Sequence, residues 1–219
     1  MTKDLAPILL PGPTAILCDL GMVLVDFDRT RLHQGFPKVF SRPFPLPKEK
    51  QLDCLRLDFE QGVLSTDEFS SAALQLLELP GEARSDLRQL WTSIFTPNKA
   101  TIALLRQAAA RPDTSVVVVS DTDPWCEHAC ANQFGLADLM HDAVCSYQEG
   151  VNSKRVDASM WLKAGELASA QLDSTPGTII AIDDISEHLD CALAARAATH
   201  THLFTSADRL ATLLVSLAS

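Results

Sequence analysis

The chain has 219 residues, of which 47% are hydrophobic and 21% charged, with a formal net charge of −10. That length suits one large domain or one domain carrying an insertion, and a chain of this size buries roughly 70% or more of its unfolded surface, so folding requires no metal or disulfide staple. The acidic balance excludes nucleic acid and anionic membrane as default partners, since both are bound through clustered Lys and Arg, and no apolar run reaches the ~20 residues that span a bilayer.

The start, Met1 to Pro13, carries a short apolar patch (Pro7 to Leu10) broken by Pro11, without the long apolar region and small-residue cleavage site of a signal peptide. The six cysteines (Cys18, Cys54, Cys126, Cys130, Cys145, Cys191) are scattered, which reads as free, reduced thiols in a cytoplasmic protein. Ala15 to Cys18 is a short apolar run expected to be a buried strand. Residues 26–95 break the pattern: they show no convincing strand, prolines at 37, 43, 45 and 47, and one clear helix. In that helix Ser65 and Glu68 make a capping box, Phe69, Ala72, Ala73, Leu76 and Leu77 an apolar stripe, and Pro80-Gly81 a stop.

From Pro97 onward strands and helices alternate. Pro97 is expected to open a helix carrying Ile102, Leu105 and Ala109 and ended by Pro112. Val116 to Val119 is the next strand, Asp123-Pro124 an N-cap and first turn, and Ala143 to Cys145 a weaker strand. A helical stripe on Met160, Trp161, Ala164, Leu167 and Ala168 follows, then a strand over Thr178 to Ile182, a helix through Leu189, Ala192 and Leu193, and a strand over His202 to Phe204. This alternation predicts an α/β doubly wound core with a parallel sheet, formed by residues 1–25 and 96–219, with residues 26–95 a helical insertion after the first strand.

The apolar strands end in polar residues that a core would not choose: Asp19, Ser120, and the pair Asp183 and Asp184, with Lys154 in the loop after the weak strand. In a parallel sheet all these ends lie on the C-terminal edge, where α/β domains bind ligands. Carboxylates gathered there repel one another unless a cation lies between them, and such oxygen ligands suit Mg²⁺. A carboxylate can attack a phosphoryl group, but two unit charges 4 Å apart repel by about 4 kcal/mol at an effective dielectric near 20, which a divalent ion and Lys154 would offset. Ser120 would hold a phosphoryl oxygen.

In this order, Asp19, Ser120, Lys154 and Asp183-Asp184 resemble the motifs of the haloacid dehalogenase-like (HAD) phosphohydrolases, over nearly the whole chain. The insertion resembles that family's helical C1 cap, with Phe59-Glu60-Gln61-Gly62 and Ser65-Thr66-Asp67-Glu68-Phe69 similar to cap sequences of its subfamily I, and Asp19-Leu20-Gly21-Met22-Val23-Leu24-Val25-Asp26-Phe27-Asp28 resembles a branch whose first motif reads Asp-Leu-Gly. The resemblance implies a Rossmannoid three-layer core under a helical cap. It also implies Asp19 as the nucleophile that becomes a phospho-aspartate, Ser120, Asp121 and Lys154 as substrate-holding residues, and Mg²⁺ bound by Asp19, Asp184 directly, Asp183 through water and the Gly21 carbonyl. Three positions depart from the family: Gly21 stands where most members have a second Asp as general acid/base, Asp121 where the branch usually has Asn beside the phosphate, and Arg155 where many have Pro.

The expected function is a Mg²⁺-dependent hydrolase of a small phosphorylated metabolite. The alternative is a HAD-fold binding or regulatory protein that lacks the general acid, since losing one costs 10²- to 10⁴-fold. Dehalogenation, which needs no metal, is disfavoured by Asp183-Asp184, and a receiver domain by the lone acid after the first strand. Several residues carry plainer readings. Gly21 reads as a turn glycine with an unusual backbone angle. Cys126 and Cys130 read as buried thiols rather than a zinc site with His128, which lies on the opposite face. His200 and His202 read as strand residues. Trp125 is open between the site mouth and the core, and Asp26 and Asp28 between the site and solvent.

Overall fold

A computed structural model describes residues 12–151 and 153–216. The reading of the chain's first residues therefore lies, apart from Gly12 and Pro13, outside the described residues. The core is a five-stranded parallel sheet in the order β5-β4-β1-β6-β7, built from β1 (Thr14–Cys18), β4 (Thr114–Ser120), β5 (Val144–Cys145), β6 (Thr178–Asp183) and β7 (His200–Leu203). The period-2 alternation of each strand divides its side chains between two helical layers. Ile16, Cys18, Val118, Ile180 and Ile182 face α5 (Lys99–Ala109), α6 (Pro124–Asn132) and α10 (Ala207–Ser216). Ala15, Leu17, Val117, Val119 and Ala181 face α8 (Ser159–Gln171) and α9 (Ser186–Ala194) on the other side. From β1 the chain builds outward through β4 and β5, then returns to the other flank for β6 and β7. The reversal between β1 and β6 opens a crevice at their C-terminal ends, the position where α/β sheets bind ligands.

Between β1 and β4 the chain leaves for a helical segment: α1 (Thr30–Phe40), α2 (Glu49–Glu60), α3 (Thr66–Leu76) and α4 (Arg84–Thr92). It has its own apolar cluster, including Phe36, Phe59, Phe69, Leu87 and Trp91, into which Trp125 and Cys126 of α6 reach from the core. The Phe59 and Phe69 rings stack at 4.2 Å, and both meet Trp125 edge-on. Trp125 is thus a core residue. The capping box of α3 is present, the Ser65 hydroxyl accepting from the Glu68 N–H and the Glu68 carboxylate from the Ser65 N–H.

Several elements differ from the expectation. Two short strands, β2 (Val25–Phe27) and β3 (Phe95–Pro97), pair antiparallel at the edges of the helical segment, too short to display a period. Pro97 therefore ends β3 rather than opening α5, whose N-cap is Asn98, accepting from the Thr101 N–H. An interior Pro37, which ordinarily ends a helix, concealed α1, and the last strand starts at His200 rather than His202. The thiols of Cys126 and Cys130 are buried and His128 is exposed, in keeping with buried thiols rather than zinc ligands. Asp28 is exposed and accepts from both the N–H and the hydroxyl of Thr30, and Asp26 is also exposed, so both are surface groups.

The helical segment meets the core closely just after α2. Gly62 has φ +71°, and a Cβ there would stand 2.2 Å from the Tyr147 carbonyl oxygen in α7 (Ser146–Glu149). Gly62→Ala is expected to cost at least the roughly 1–2 kcal/mol of a left-handed alanine, and more for the backbone contact. Urea denaturation reads this directly; an unchanged midpoint would contradict the close approach.

Candidate active site

The crevice between β1 and β6 gathers most of the polar residues that the sequence singles out. Asp19 continues β1, its N–H donating to the Ile182 carbonyl at 2.8 Å, and so stands beside the end of β6, where Asp183 closes the strand. Lys154 arrives from the loop between α7 and α8 and is buried with only 1% of its surface exposed. Its ammonium has three hydrogens and three acceptors: Asp19 Oδ1 at 2.6 Å, Asp183 Oδ2 at 2.8 Å and the Val119 carbonyl at 3.0 Å. Asp183 also accepts from the Ile185 N–H, and His188 Nδ1 lies 3.1 Å from each of its oxygens. The Leu20 N–H donates to Asp19 Oδ1, so both hydrogen bonds to that carboxylate fall on one oxygen.

These contacts set the charges. Burial raises the Asp19 carboxyl above the ordinary carboxylate range; Lys154 opposes the rise and Asp183 adds to it. For Lys154 burial works against the ammonium, but Asp19, Asp183 and Asp121 outweigh it and hold the group charged. Asp183 is kept below the ordinary range although burial opposes this, because His188 and Lys154 both bond its ionised form. Asp184 is more open, and burial with the neighbouring Asp183 raises it.

Asp19, Asp183 and Asp184 each offer one carboxylate oxygen within 4.8 Å of the other two. Oxygens on opposite sides of a Mg²⁺ ion are about 4.1 Å apart, so this donor set fits such an ion. Ser120 closes β4, is 2% exposed and lines the same cavity, as does Gly21. Asp121 accepts from the Lys154 N–H at 3.2 Å and from the Ser153 hydroxyl at 3.1 Å. Its charge therefore fixes the lysine loop. Arg155 pairs with Glu187 at 3.1 Å on the exposed rim. Gly21 departs from the turn-glycine reading: the left-handed residue is its neighbour Met22, with φ +56°. A Cβ on Gly21 would have only the Phe27 ring nearby, at 3.7 Å.

The cavity above these residues has a volume of about 750 Å³, and the helical segment supplies its ceiling through Arg29, Arg56, Leu57, Glu60 and Trp91. Trp91 Nε1 donates to Asp123, which is buried and also caps α6 through the N–H groups of Trp125 and Cys126. On the ceiling Arg29 pairs with Asp53, Asp53 lies 3.6 Å from Arg56, and Arg56 Nη1 donates to both oxygens of Glu60 at 2.6 Å. Sequence reasoning missed His188, Arg56 and the role of Glu60. His188 had a signal in its place five residues after Asp183, but a helical histidine alone is ordinary. The ceiling showed only in the resemblance of Phe59-Glu60-Gln61-Gly62 to cap sequences, because neither its helix nor its orientation was legible.

No protein-family model and no curated protein matches the chain. Among solved structures it is similar to a HAD family enzyme from Bacteroides thetaiotaomicron, with 21% identity and a TM-score of 0.70 over 93% of this chain and 98% of that one. The wild-type form of that enzyme in complex with magnesium and inorganic phosphate has 21% identity and a TM-score of 0.66, covering 89% and 95%. It is also similar to L-2-haloacid dehalogenase from Xanthobacter autotrophicus with chloropropionic acid covalently bound, with 17% identity and a TM-score of 0.54 over 92% and 82%. The chain has the α/β fold of these enzymes.

A buried ammonium shared by two buried carboxylates makes Lys154→Met a severe change, because it leaves both acids without their counter-charge. It is expected to cost about 3–5 kcal/mol of folding stability, measured in urea in the absence of divalent ions. A loss below about 1 kcal/mol, the scale of an exposed pair, would contradict the burial of this cluster.

Proposed function

We propose that this chain, which has the fold of haloacid dehalogenase-like enzymes, is a Mg²⁺-dependent hydrolase that removes phosphate from a small phosphorylated metabolite. The observation that carries the reading is one of charge. Three carboxylates, Asp19, Asp183 and Asp184, stand together, and a single ammonium, that of Lys154, bonds Asp19 and Asp183. With all three acids ionised the cluster is left with a net charge of −2, which a divalent cation would cancel. A phosphate dianion approaching Asp19 then meets no uncompensated charge. The B. thetaiotaomicron enzyme is seen with both magnesium and inorganic phosphate, which supports the same pairing here.

Asp19, Asp183 and Asp184 would hold the ion, with the Gly21 carbonyl as a further ligand by the family resemblance. The ion would supply charge neutralisation and hold Asp19 ionised despite its burial. The chain's own residues do the rest. Asp19 carries both of its hydrogen bonds on Oδ1, so Oδ2 is the oxygen available to attack phosphorus. Lys154 and Ser120 would hold the phosphoryl oxygens, and Asp121 positions Lys154 through its backbone N–H. Attack forms an Oδ2–P bond as the ester oxygen leaves, and water then releases phosphate from the aspartate. Residues 26–95 act as the cap over residues 1–25 and 96–219, excluding bulk water from the 750 Å³ cavity.

Asp19→Asn should abolish phosphate release from 2,4-dinitrophenyl phosphate, as should removal of Mg²⁺ with EDTA, with activity returning on adding the metal. Residual turnover in Asp19→Asn above a hundredth of wild type would overturn the reading. Binding of the ion has a readout of its own. Mg²⁺ is expected to raise the melting temperature of the wild type, and Asp184→Asn to reduce that rise. A melting temperature indifferent to Mg²⁺ would contradict the site.

The second reading, a binding protein that keeps the fold, is favoured by the absence of a side chain at Gly21. It requires the wild type to bind Mg²⁺ and phosphate without turning over any ester.

A further inference from the structure

The floor of the cavity leaves the departing ester oxygen without a proton. Asp19 is committed to attack, Asp184 to the cation, and Gly21 has no side chain. Asp121 is occupied by the Lys154 N–H and Ser153, and Asp123 by the indole of Trp91, the Cys126 thiol and two backbone N–H groups. His188 is bonded to Asp183. Among the described residues lining the cavity, the remaining carboxyl is Glu60, on the ceiling at the last turn of α2; its oxygens accept from Arg56 Nη1 at 2.6 Å, a ceiling pair that takes no part in holding the cation or the lysine loop.

We propose that Glu60 is the general acid of this site, delivering its proton to the oxygen that leaves phosphorus. The inference rests on the phosphatase reading above and adds the residue that completes it.

The placement of Glu60 is firm. Its backbone carbonyl lies 2.5 Å from the Ser146 hydroxyl oxygen, which in turn accepts from the Thr122 N–H at 3.0 Å, two residues beyond Ser120. The ceiling acid is thereby tied to the loop that leaves the floor. Its side chain is 21% exposed, closed enough to disfavour the ion and open enough to meet a ligand.

The surrounding charges make the acid form accessible. Burial raises the carboxyl, Arg56 pulls it down, and Asp123 and Asp121 push it up, with the balance at about 7. Around Glu60 the ceiling holds two guanidinium groups, Arg29 and Arg56, and two carboxylates, Asp53 and Glu60. With Glu60 ionised the ceiling is neutral; with Glu60 protonated it carries +1. A phosphate dianion in the cavity favours the second state, so substrate binding itself loads the proton.

The steps then balance. Asp19 Oδ2 forms a bond to phosphorus and the P–O ester bond breaks. The bonding pair goes to the leaving oxygen, which takes the proton of Glu60 and departs as an alcohol. The Glu60 carboxylate next accepts a proton from the water that attacks the phospho-aspartate, the Asp19 Oδ2–P bond breaks, and inorganic phosphate leaves with Asp19 and Glu60 restored.

A leaving-group series separates proton donation from a merely structural role. 2,4-Dinitrophenyl phosphate expels a stable phenolate that needs no proton, whereas a simple alkyl phosphate does. In Glu60→Gln, kcat/KM, which reads only the steps up to loss of the alcohol, is expected to fall by about 10²- to 10⁴-fold for the alkyl ester and by no more than about tenfold for the dinitrophenyl ester, while kcat falls on both because hydrolysis of the phospho-aspartate loses its base. Equal losses of kcat/KM on both esters, or no loss of kcat/KM on the alkyl ester, overturn the proposal. Should Glu60→Gln fail to fold, the wild type carries the test alone: a shallow dependence of kcat/KM on leaving-group pKa supports an internal acid, and a steep one overturns it. Failure of the underlying reading looks different, since then the wild type releases phosphate from neither ester.

Discussion

The buried ammonium of Lys154 is the contact on which the rest of this site depends. Asp19 and Asp183 close adjacent parallel strands, and their carboxylates would otherwise face each other in a poorly solvated crevice. Like charges at such a separation cost several kcal/mol, so the sheet edge cannot be assembled from acids alone. Lys154 bonds both, and spends its third hydrogen on the Val119 carbonyl of β4. Its ammonium also lies over the Trp161 ring of α8, 5.3 Å from the ring centre. The same cluster that completes the fold at this edge is still short of positive charge. Structure and chemistry are therefore coupled: what leaves the crevice incompletely compensated is what, on the proposed reading, would make it a receptor for a cation and a phosphate.

Three consecutive residues after Ser120 distribute that geometry to the rest of the molecule. Asp121 bonds the backbone of Lys154 and fixes the loop that brings the ammonium in. Thr122 donates to Ser146, and through it touches the end of α2 in the helical segment. Asp123 caps α6 and accepts from the Trp91 indole of α4. Floor, lysine loop and ceiling are thus referred to one strand end. This accounts for an acid at position 121 beside an anionic substrate: its carboxylate oxygens are engaged by the Lys154 N–H and Ser153, and its charge adds to those that keep Lys154 protonated.

The inner part of the parallel sheet was legible because β1, β4 and β6 are largely buried and read as continuous apolar runs, so each polar terminus stood out against them. Asp19, Ser120, Asp183 and Asp184 were visible for that reason and Lys154 from its place in the loop after the weak strand, and their common edge followed from strand direction. The helical segment was legible only at α3, where a capping box gives a local signal. Pro37 lies inside α1, and α2 and α4 carry their apolar residues amid many charges, so neither shows a clean stripe. The ceiling depends on which face of α2 turns inward, and that is decided by the packing of Phe59 on Phe69 and Trp125, a tertiary contact across 66 residues that no window of sequence contains. Gly21 was misjudged for a related reason. A glycine in a turn suggests a left-handed backbone, but here Met22 adopts that angle, its N–H donating to the Val25 carbonyl.

That turn bears on how the two walls of the cavity divide their work. The turn over residues 21–25 leads into β2, and Phe27 follows with its ring 3.7 Å from where a Gly21 side chain would begin. Phe27 in turn meets Phe95 edge-on across the β2–β3 pair. The cavity beside Gly21 is consequently lined by the aromatic carbon of Phe27 and Phe95. Such a wall suits the body of an ester but has no proton to give. A carboxyl placed there would also sit next to Asp19, Asp183 and Asp184, adding a further acid to a cluster with one ammonium. Moving the acid across the cavity to α2 sets it among guanidinium groups, where its two protonation states differ by whether the ceiling is neutral or cationic. On the proposed reading, the absence of a side chain at Gly21 and the presence of a half-buried carboxyl at Glu60 are two sides of one electrostatic arrangement, in which attack would come from the floor and the proton from the ceiling.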